Sequence, residues 1–223
     1  MISVIVPVYN DPKGIETTLD SLTAQDPSRC EYEVVVVDNN STDDTSTVIQ
    51  RYVSEYPETI YSFEETDIQS SYAARNTGIK NAKSDLLVFI DSDMWVENEF
   101  IDKVYKYYTQ SDSPYIGLKV TLSCDRDDLN IAGKYDCLTA FPIKKYIKYH
   151  NFASTMSLVV EKELFSEIGL FDEKMISSGD MEFGRRVAAA GYKQDYCDSI
   201  KVYHPVRNSA SEMLKKAIRI GRG

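Results

Sequence analysis

Asp85-Leu86-Leu87-Val88-Phe89-Ile90-Asp91-Ser92-Asp93-Met94 is the stretch whose reading decides the fold. Five successive apolar residues bounded by charge read as a strand buried on both faces of a parallel sheet rather than as an amphipathic helix. Asp91 and Asp93 fall where that strand leaves the sheet. In open α/β folds ligands bind in the crevice outside the carboxyl ends of the strands, and two acidic side chains there suit a hard divalent cation. The Asp-x-Asp pattern is weak by itself. Carboxylates after a strand also make turns and helix caps, and a second copy, Asp125-Arg126-Asp127, follows no apolar strand.

Upstream, the same logic repeats. Ile2-Ser3-Val4-Ile5-Val6 is a first strand, stopped by Pro7 and followed by a turn at Tyr9-Asn10-Asp11-Pro12. Residues 13–25 carry Ile15, Leu19 and Leu22 at helical spacing, the pattern of a helix that covers a sheet. Glu33-Val34-Val35-Val36-Val37-Asp38 is a second strand that again ends in a carboxylate, and a helix capped by Thr42 or Asp43 runs from there to about Tyr56. A third strand is expected over 60–63 and an alanine-rich helix over 71–80. Alternation of strands and helices predicts right-handed βαβ units and a mainly parallel sheet. Asp38, Asp91, Asp93 and the turn after Pro7 then face one crevice, which suits a nucleotide with a metal on its diphosphate. Neither G-x-G-x-x-G after the first strand nor G-x-x-x-x-G-K-[ST] occurs, so a dinucleotide dehydrogenase and a P-loop NTPase are disfavoured.

Composition agrees with one well-packed domain: 223 residues, 43% hydrophobic, with no repeat or low-complexity tract. A net charge of −10 argues against nucleic acid as the main partner. Cys30, Cys124, Cys137 and Cys197 show no metal-type spacing, and the first residues contain neither a basic leader nor a long apolar segment. Four reduced thiols in a cytoplasmic protein is the expectation. The segment Lys215-Lys216-Ala217-Ile218-Arg219-Ile220-Gly221-Arg222-Gly223 is basic for so acidic a chain, as a solvated helix end or as a contact with the inner face of a membrane. Its Gly-Arg-Gly ending is that expected of a chain cut short.

In order and spacing, several short motifs resemble family 2 glycosyltransferases. They are Ser3-Val4-Ile5-Val6-Pro7-Val8-Tyr9-Asn10, Val35-Val36-Val37-Asp38-Asn39-Asn40-Ser41-Thr42-Asp43-Asp44-Thr45, Ala73-Ala74-Arg75-Asn76-Thr77-Gly78 and Ile90-Asp91-Ser92-Asp93. The likeness continues through Ile168-Gly169-Leu170-Phe171-Asp172-Glu173, Gly179-Asp180-Met181-Glu182-Phe183-Gly184-Arg185-Arg186 and Val202-Tyr203-His204-Pro205. The resemblance implies the A-type glycosyltransferase (GT-A) fold over the whole chain, with residues 1–110 as the nucleotide-sugar half and 111–223 as the acceptor half. It implies that Pro7, Tyr9 and Asp38 cradle the base and ribose, and that Arg75 lies near the diphosphate. Asp91 and Asp93 would approach the ribose and a Mn²⁺ or Mg²⁺ ion, Asp93 the more directly. Asp180 matches a catalytic base, and His204 a residue that reaches the metal or the phosphates in some relatives. One departure stands out: the family usually has Glu-Asp where this chain has Gly179-Asp180.

The implied reaction moves a sugar from a UDP- or GDP-type donor to an acceptor hydroxyl by one displacement with inversion, Asp180 taking the proton. Polysaccharide, glycoprotein and lipid-linked (glycolipid) acceptors are all compatible. Taken alone, Asp180 also suits a first-turn helix acid, His204 a packed imidazole, and Glu182 with Arg186 a surface pair at i and i+4. Residues 111–153 read as a strand over 115–122 and then a loop or mobile helix, either a lid or a surface excursion. The competing assignments are a sugar nucleotidyltransferase, which should begin with a glycine-rich turn, and a donor-binding domain without turnover.

Overall fold

The computed structural model describes residues 1–125 and 127–221; Arg126 of the second Asp-x-Asp and the terminal Arg222-Gly223 lie outside them. β1 (Ile2–Val8), β2 (Tyr32–Asp38) and β4 (Leu86–Phe89) are buried at every position. That burial is the reason their apolar runs do not alternate. β1 lies between β2 and β4 and pairs with both in parallel, and β3 (Ile60–Glu64) adds to β2 in parallel.

The crossovers are α1 (Pro12–Thr23), α2 (Thr45–Glu55) and α3 (Ser71–Asn81). α1 starts with Asp11 accepting the N–H of Gly14 and Pro12 in the first turn, and buries Ile15, Leu19 and Leu22. At α2 the N-cap is Asp44, without a side-chain cap bond, rather than Thr42 or Asp43; Asp43 before it accepts the N–H of Thr45. α3 lies very close to the sheet: a Cβ on Gly78 would come within 2.5 Å of Ile5. Two apolar layers, one on each sheet face, sandwich these strands.

The remainder completes the sheet differently. β5 (Trp95–Val96) leads into α4 (Phe100–Gln110) and β6 (Tyr115–Leu122). Two helices follow, α5 (Ile131–Thr139) and α6 (Ile143–His150), where a loop or a single helix was expected. A short 3₁₀ turn, Thr155–Ser157, enters β7 (Leu158–Glu161), then come α7 (Lys162–Ile168), α8 (Gly179–Ala189), β8 (Gln194–His204) and α9 (Ala210–Ile220). Strand order is β3-β2-β1-β4-β7-β6-β8-β5. β7 is antiparallel to both β4 and β6, and β6 is parallel to β8. So β1, β2, β4, β6 and β8 all point the same way, and their carboxyl ends share one rim with the entrance to β7. That places the tips of β4 and β8 and the turn before β7 around one space.

One expectation is corrected and one extended. Cys124 and Cys137 form a disulfide, joining the end of β6 to the last turn of α5 with Cα atoms 6.0 Å apart; only Cys30 and Cys197 are free, and both are buried. Their spacing of 13 residues carries no signal until α5 folds back on β6, and the thiol argument for a cytoplasmic protein falls with the pairing. Arg186 does more than pair with Glu182 (2.6 Å): it also donates to the carbonyls of Ile168, Gly169 and Leu170, clamping the turn after α7. Among the described residues no helix is long and apolar enough to cross a membrane.

Candidate functional site

The rim holds two cavities that share a wall. The first, about 380 Å³, lies over β1 and β4 and is lined by Pro7, Tyr9, Asn39, Arg75, Asp91 and Asp93 among others. The second, about 350 Å³, lies towards the second half, where Tyr72, Phe141, Tyr146, Phe152, Ser154 and Asp180 line it. Arg75, Asp91 and Ser71 border both.

The floor of the first cavity is made by the turns after β1 and β2, which lock together. Asn10 and Asn40 take left-handed φ values of +49° and +64°, a conformation asparagine tolerates. Asn10 donates its N–H to Ser41 and accepts that of Thr42, and Asp11 donates to Thr45. Tyr9 stands half out in solvent above this floor. Asp38 is buried, with its carboxylate accepting the N–H of Ser41 at 3.0 Å; the cavity surface at this strand end belongs to its neighbour Asn39.

Arg75 and Asp91 form the shared wall. Arg75 is 4% exposed on α3, and its Nη2 lies 2.5 Å from Asp91 Oδ1. Its Nε has no protein partner. A guanidinium that borders both cavities is suited to an anionic oxygen.

Asp93 faces the tip of β8. Its Oδ2 is 3.5 Å from His204 Nε2, and Arg207 Nη2 lies 3.2 Å from the same nitrogen. His204 Nδ1 contacts the Pro205 carbonyl at 2.5 Å. A carbonyl only accepts, so Nδ1 carries the hydrogen and Nε2 presents a lone pair. Burial pushes the His204 pKa down, against the pull of Asp93, which fits a neutral ring. Burial likewise raises that of Asp93, with His204 opposing and Asp91 and Asp11 reinforcing the shift. Asp136, buried in α5, accepts the Arg207 N–H at 3.1 Å and lies 3.7 Å from its Nη1 and 4.0 Å from Lys216 Nζ. Phe141 packs on His204, Arg207 and Lys216.

Asp180 sits in the first turn of α8 and its Oδ1 accepts the N–H of Met181. Burial raises its pKa, while that bond, Arg75 and a hydrogen bond from Ser154 pull the other way. The carboxyl thus sits in a partly desolvated pocket close to the Arg75–Asp91 pair, as a proton acceptor needs.

The rim brings together Pro7, Tyr9, Arg75, Asp91, Asp93, Asp180 and His204, and leaves Asp38 beneath its surface. Arg207, Asp136, Tyr72 and Phe141 were not foreseen. Arg207 carries a faint signal, three residues after His204; Tyr72 and Phe141 carry none among 16 tyrosines and eight phenylalanines. The donor set fits a cation that takes one or two carboxylates and completes its shell with water and phosphate oxygens, as Mg²⁺ does. Among the described residues, no three acidic, histidine or cysteine side chains form a metal cage on their own.

A mainly parallel sheet with an acidic rim fits the class of GT-A type glycosyltransferases. The chain belongs to glycosyl transferase family 2, whose model matches residues 3–156. That match stops short of Asp180 and His204. Glycosyltransferase AglE of Haloferax volcanii is 32% identical over 222 residues, covering all of this chain and 72% of the relative. Among solved structures, mannosyltransferase PcManGT from Pyrobaculum calidifontis, in complex with GDP-Man and Mn²⁺, has a TM-score of 0.77 at 21% identity, over 99% of this chain and 62% of that one. TarS 1-349 of S. aureus, in complex with UDP-GlcNAc, has a TM-score of 0.70 at 24% identity, over 93% and 59%. Family membership sets aside the nucleotidyltransferase: the protein is a glycosyltransferase.

Proposed function

We propose that the protein is an inverting, metal-dependent glycosyltransferase that takes a sugar from a UDP- or GDP-sugar and places it on an acceptor hydroxyl with Asp180 as base. The observation that carries this reading is the shared wall: Arg75 and Asp91 border a cavity with Asp93 on one side and a cavity with Asp180 on the other. Residues 1–110 then bind the donor, with Pro7 and Tyr9 around its base and ribose and Asp38 holding the turn beneath them through Ser41. Residues 111–223 receive the acceptor. A base across that wall from the leaving group takes the proton of an acceptor hydroxyl that attacks the anomeric carbon from the opposite face; the bond to the diphosphate breaks as the new glycosidic bond forms, which inverts that carbon in one step.

Mn²⁺ or Mg²⁺ bound by Asp93, Asp91 and His204 would supply Lewis-acid stabilisation of the leaving diphosphate. Arg75, which borders both cavities, meets the same charge with its guanidinium, and Arg207 is near enough to His204 to serve it too. Asp180 accepts the acceptor hydroxyl proton, its raised pKa bringing it closer to the range useful in a base. The aromatic walls Phe141, Tyr146 and Phe152 suit a sugar or polyprenyl face of a glycan, glycolipid or glycoprotein acceptor. Contact of the basic C-terminal segment with the inner face of a membrane belongs to this reading, supported by α9, which exposes Leu214 and Ile218 beside Lys215.

Incubation with Mn²⁺ and a panel of nucleotide sugars tests it. Slow release of free nucleoside diphosphate from one UDP- or GDP-sugar, stopped by chelation, is expected. No release from any donor, or release indifferent to chelator, would remove the donor or the metal from the reading.

A further inference from the structure

Gly179 opens α8, and its lack of a side chain is imposed from outside the helix. A Cβ there would lie 2.7–2.9 Å from three ring carbons of Tyr72, nearer than packed atoms approach. The ring has little room to yield. Tyr72 is 6% exposed, packs on Phe171 at 5.8 Å between centroids and has the Arg75 guanidinium 5.6 Å from its own. Its hydroxyl accepts the N–H of Gly179 at 2.9 Å. The first N–H groups of a helix have no partner within it. Ser178, at the N-cap with φ +66°, offers no side-chain bond. Tyr72 therefore caps α8 from another helix.

We propose that Tyr72 is the positioning residue for Asp180, its ring and hydroxyl occupying the place that a side chain at position 179 would take. The proposal rests on the reading of Asp180 as base. α3 then carries, within one turn, both the residue that holds the base's helix and Arg75, which holds Asp91. One rigid element registers the base against the donor side of the cleft, so the chain needs no acid at 179. The departure at Gly179-Asp180 and the tyrosine at 72 are two halves of one arrangement.

Turnover, followed as nucleoside diphosphate release per folded molecule with melting curves alongside, tests this. Tyr72→Phe keeps the ring and removes the bond to Gly179, and should lower kcat about three- to tenfold at unchanged donor KM, the worth of one hydrogen bond. A merely structural role would lower the melting temperature and leave that split unmade. Gly179→Glu should lose more turnover than Tyr72→Phe because the ring blocks it, and Gly179→Glu combined with Tyr72→Ala should turn over faster than either Gly179→Glu or Tyr72→Ala alone. Unchanged kcat in Tyr72→Phe, or a double variant no better than Tyr72→Ala, overturns the proposal. Asp180→Asn assayed in parallel keeps the two readings apart. Full activity there defeats the base itself, whereas an inactive Asp180→Asn with an unaffected Tyr72→Phe defeats Tyr72 alone.

Discussion

The two sides of the cleft are held by different means. Under the first cavity, every residue of β1, β2 and β4 is buried, and the strand tips are fixed by a continuous parallel ladder and by turns that bond each other. Around the second, β7 runs against its neighbours, β6 breaks register between Leu118 and Lys119, and a disulfide ties α5 to the strand beside it. Outward from that disulfide, Ile131, Tyr135 and Leu138 line one exposed face of α5. The first side is stable through burial, and its functional groups are mounted on a rigid edge. The second also has a buried core, around Tyr115, Phe165, Phe171 and Phe183, and adds cross-links and side-chain clamps to it: Cys124–Cys137, Asp136 on Arg207, Tyr72 on α8.

The sharpest test of this division is Asp180→Asn, which changes chemistry on the second side and leaves the first intact. Turnover should fall about 10²–10⁴-fold, the usual worth of a general base, with donor binding retained. Stability should move the other way. Burial raises the Asp180 pKa above its ordinary 3.8, so between the two values the folded state keeps a proton that the unfolded chain has lost. Stability of the wild type then declines as pH rises through that window, and the deficit persists above it. The variant should melt at or above the wild type at neutral pH, the gap closing in acid below 3.8. Wild-type turnover should fall as pH drops through the raised pKa. Melting curves and pH–rate profiles of both proteins read this directly.

Reduction of Cys124–Cys137 comes next and should touch the second side only. Opening a loop of this length costs about 2–4 kcal/mol in the chain-entropy account. Denaturant titration with and without reductant should show that loss. Donor binding should survive in native conditions, since none of the residues lining the first cavity lies on α5. Loss of donor binding on reduction would show that the two sides are not separately supported.

How far each side could be read in advance follows the same division. Val34 to Val37 and Leu86 to Phe89 announce buried strands because burial on both faces leaves no polar residue to blur them. The tips after them, at Asn10, Asp38, Asp91 and Asp93, are then located by the strand ends alone. β8 is legible only in part: Asp198 and Ser199 are exposed within it, so its pattern is broken although its last residue, His204, is buried at the rim. Tyr72, Asp136 and Cys124 act through partners 107, 71 and 13 residues away. No local pattern encodes such distances, and the functional likeness of Asp180 to a base came from family resemblance, not from its neighbours in the chain.

Arg75→Met probes the seam between the two sides. It removes the partner of Asp91, but the Asp91 side chain keeps 36% of its surface exposed, so water can replace part of the lost bond. A loss of about 1–3 kcal/mol is expected. Because Arg75 also borders both cavities, donor affinity should weaken with it, by isothermal titration, whereas reduction of the disulfide leaves affinity alone.

The smallest effect asked for is the most telling about framework. Leu87 and Leu138 are the same side chain on opposite sides of the molecule: the first is wholly buried in β4, and the second is 86% exposed on α5. Truncating Leu87 to alanine would open a cavity in the sheet layer, at about 2–5 kcal/mol. Leu138→Gln removes no buried contact and should stay within about 0.5 kcal/mol of the wild type in chemical denaturation. A larger loss would mean that the α5 face is covered in solution, by a second copy of the chain or by some other surface. The second side would then owe its stability to association as well as to its cross-links. Sedimentation of the wild type and Leu138→Gln at two protein concentrations would separate self-association from a change within the monomer.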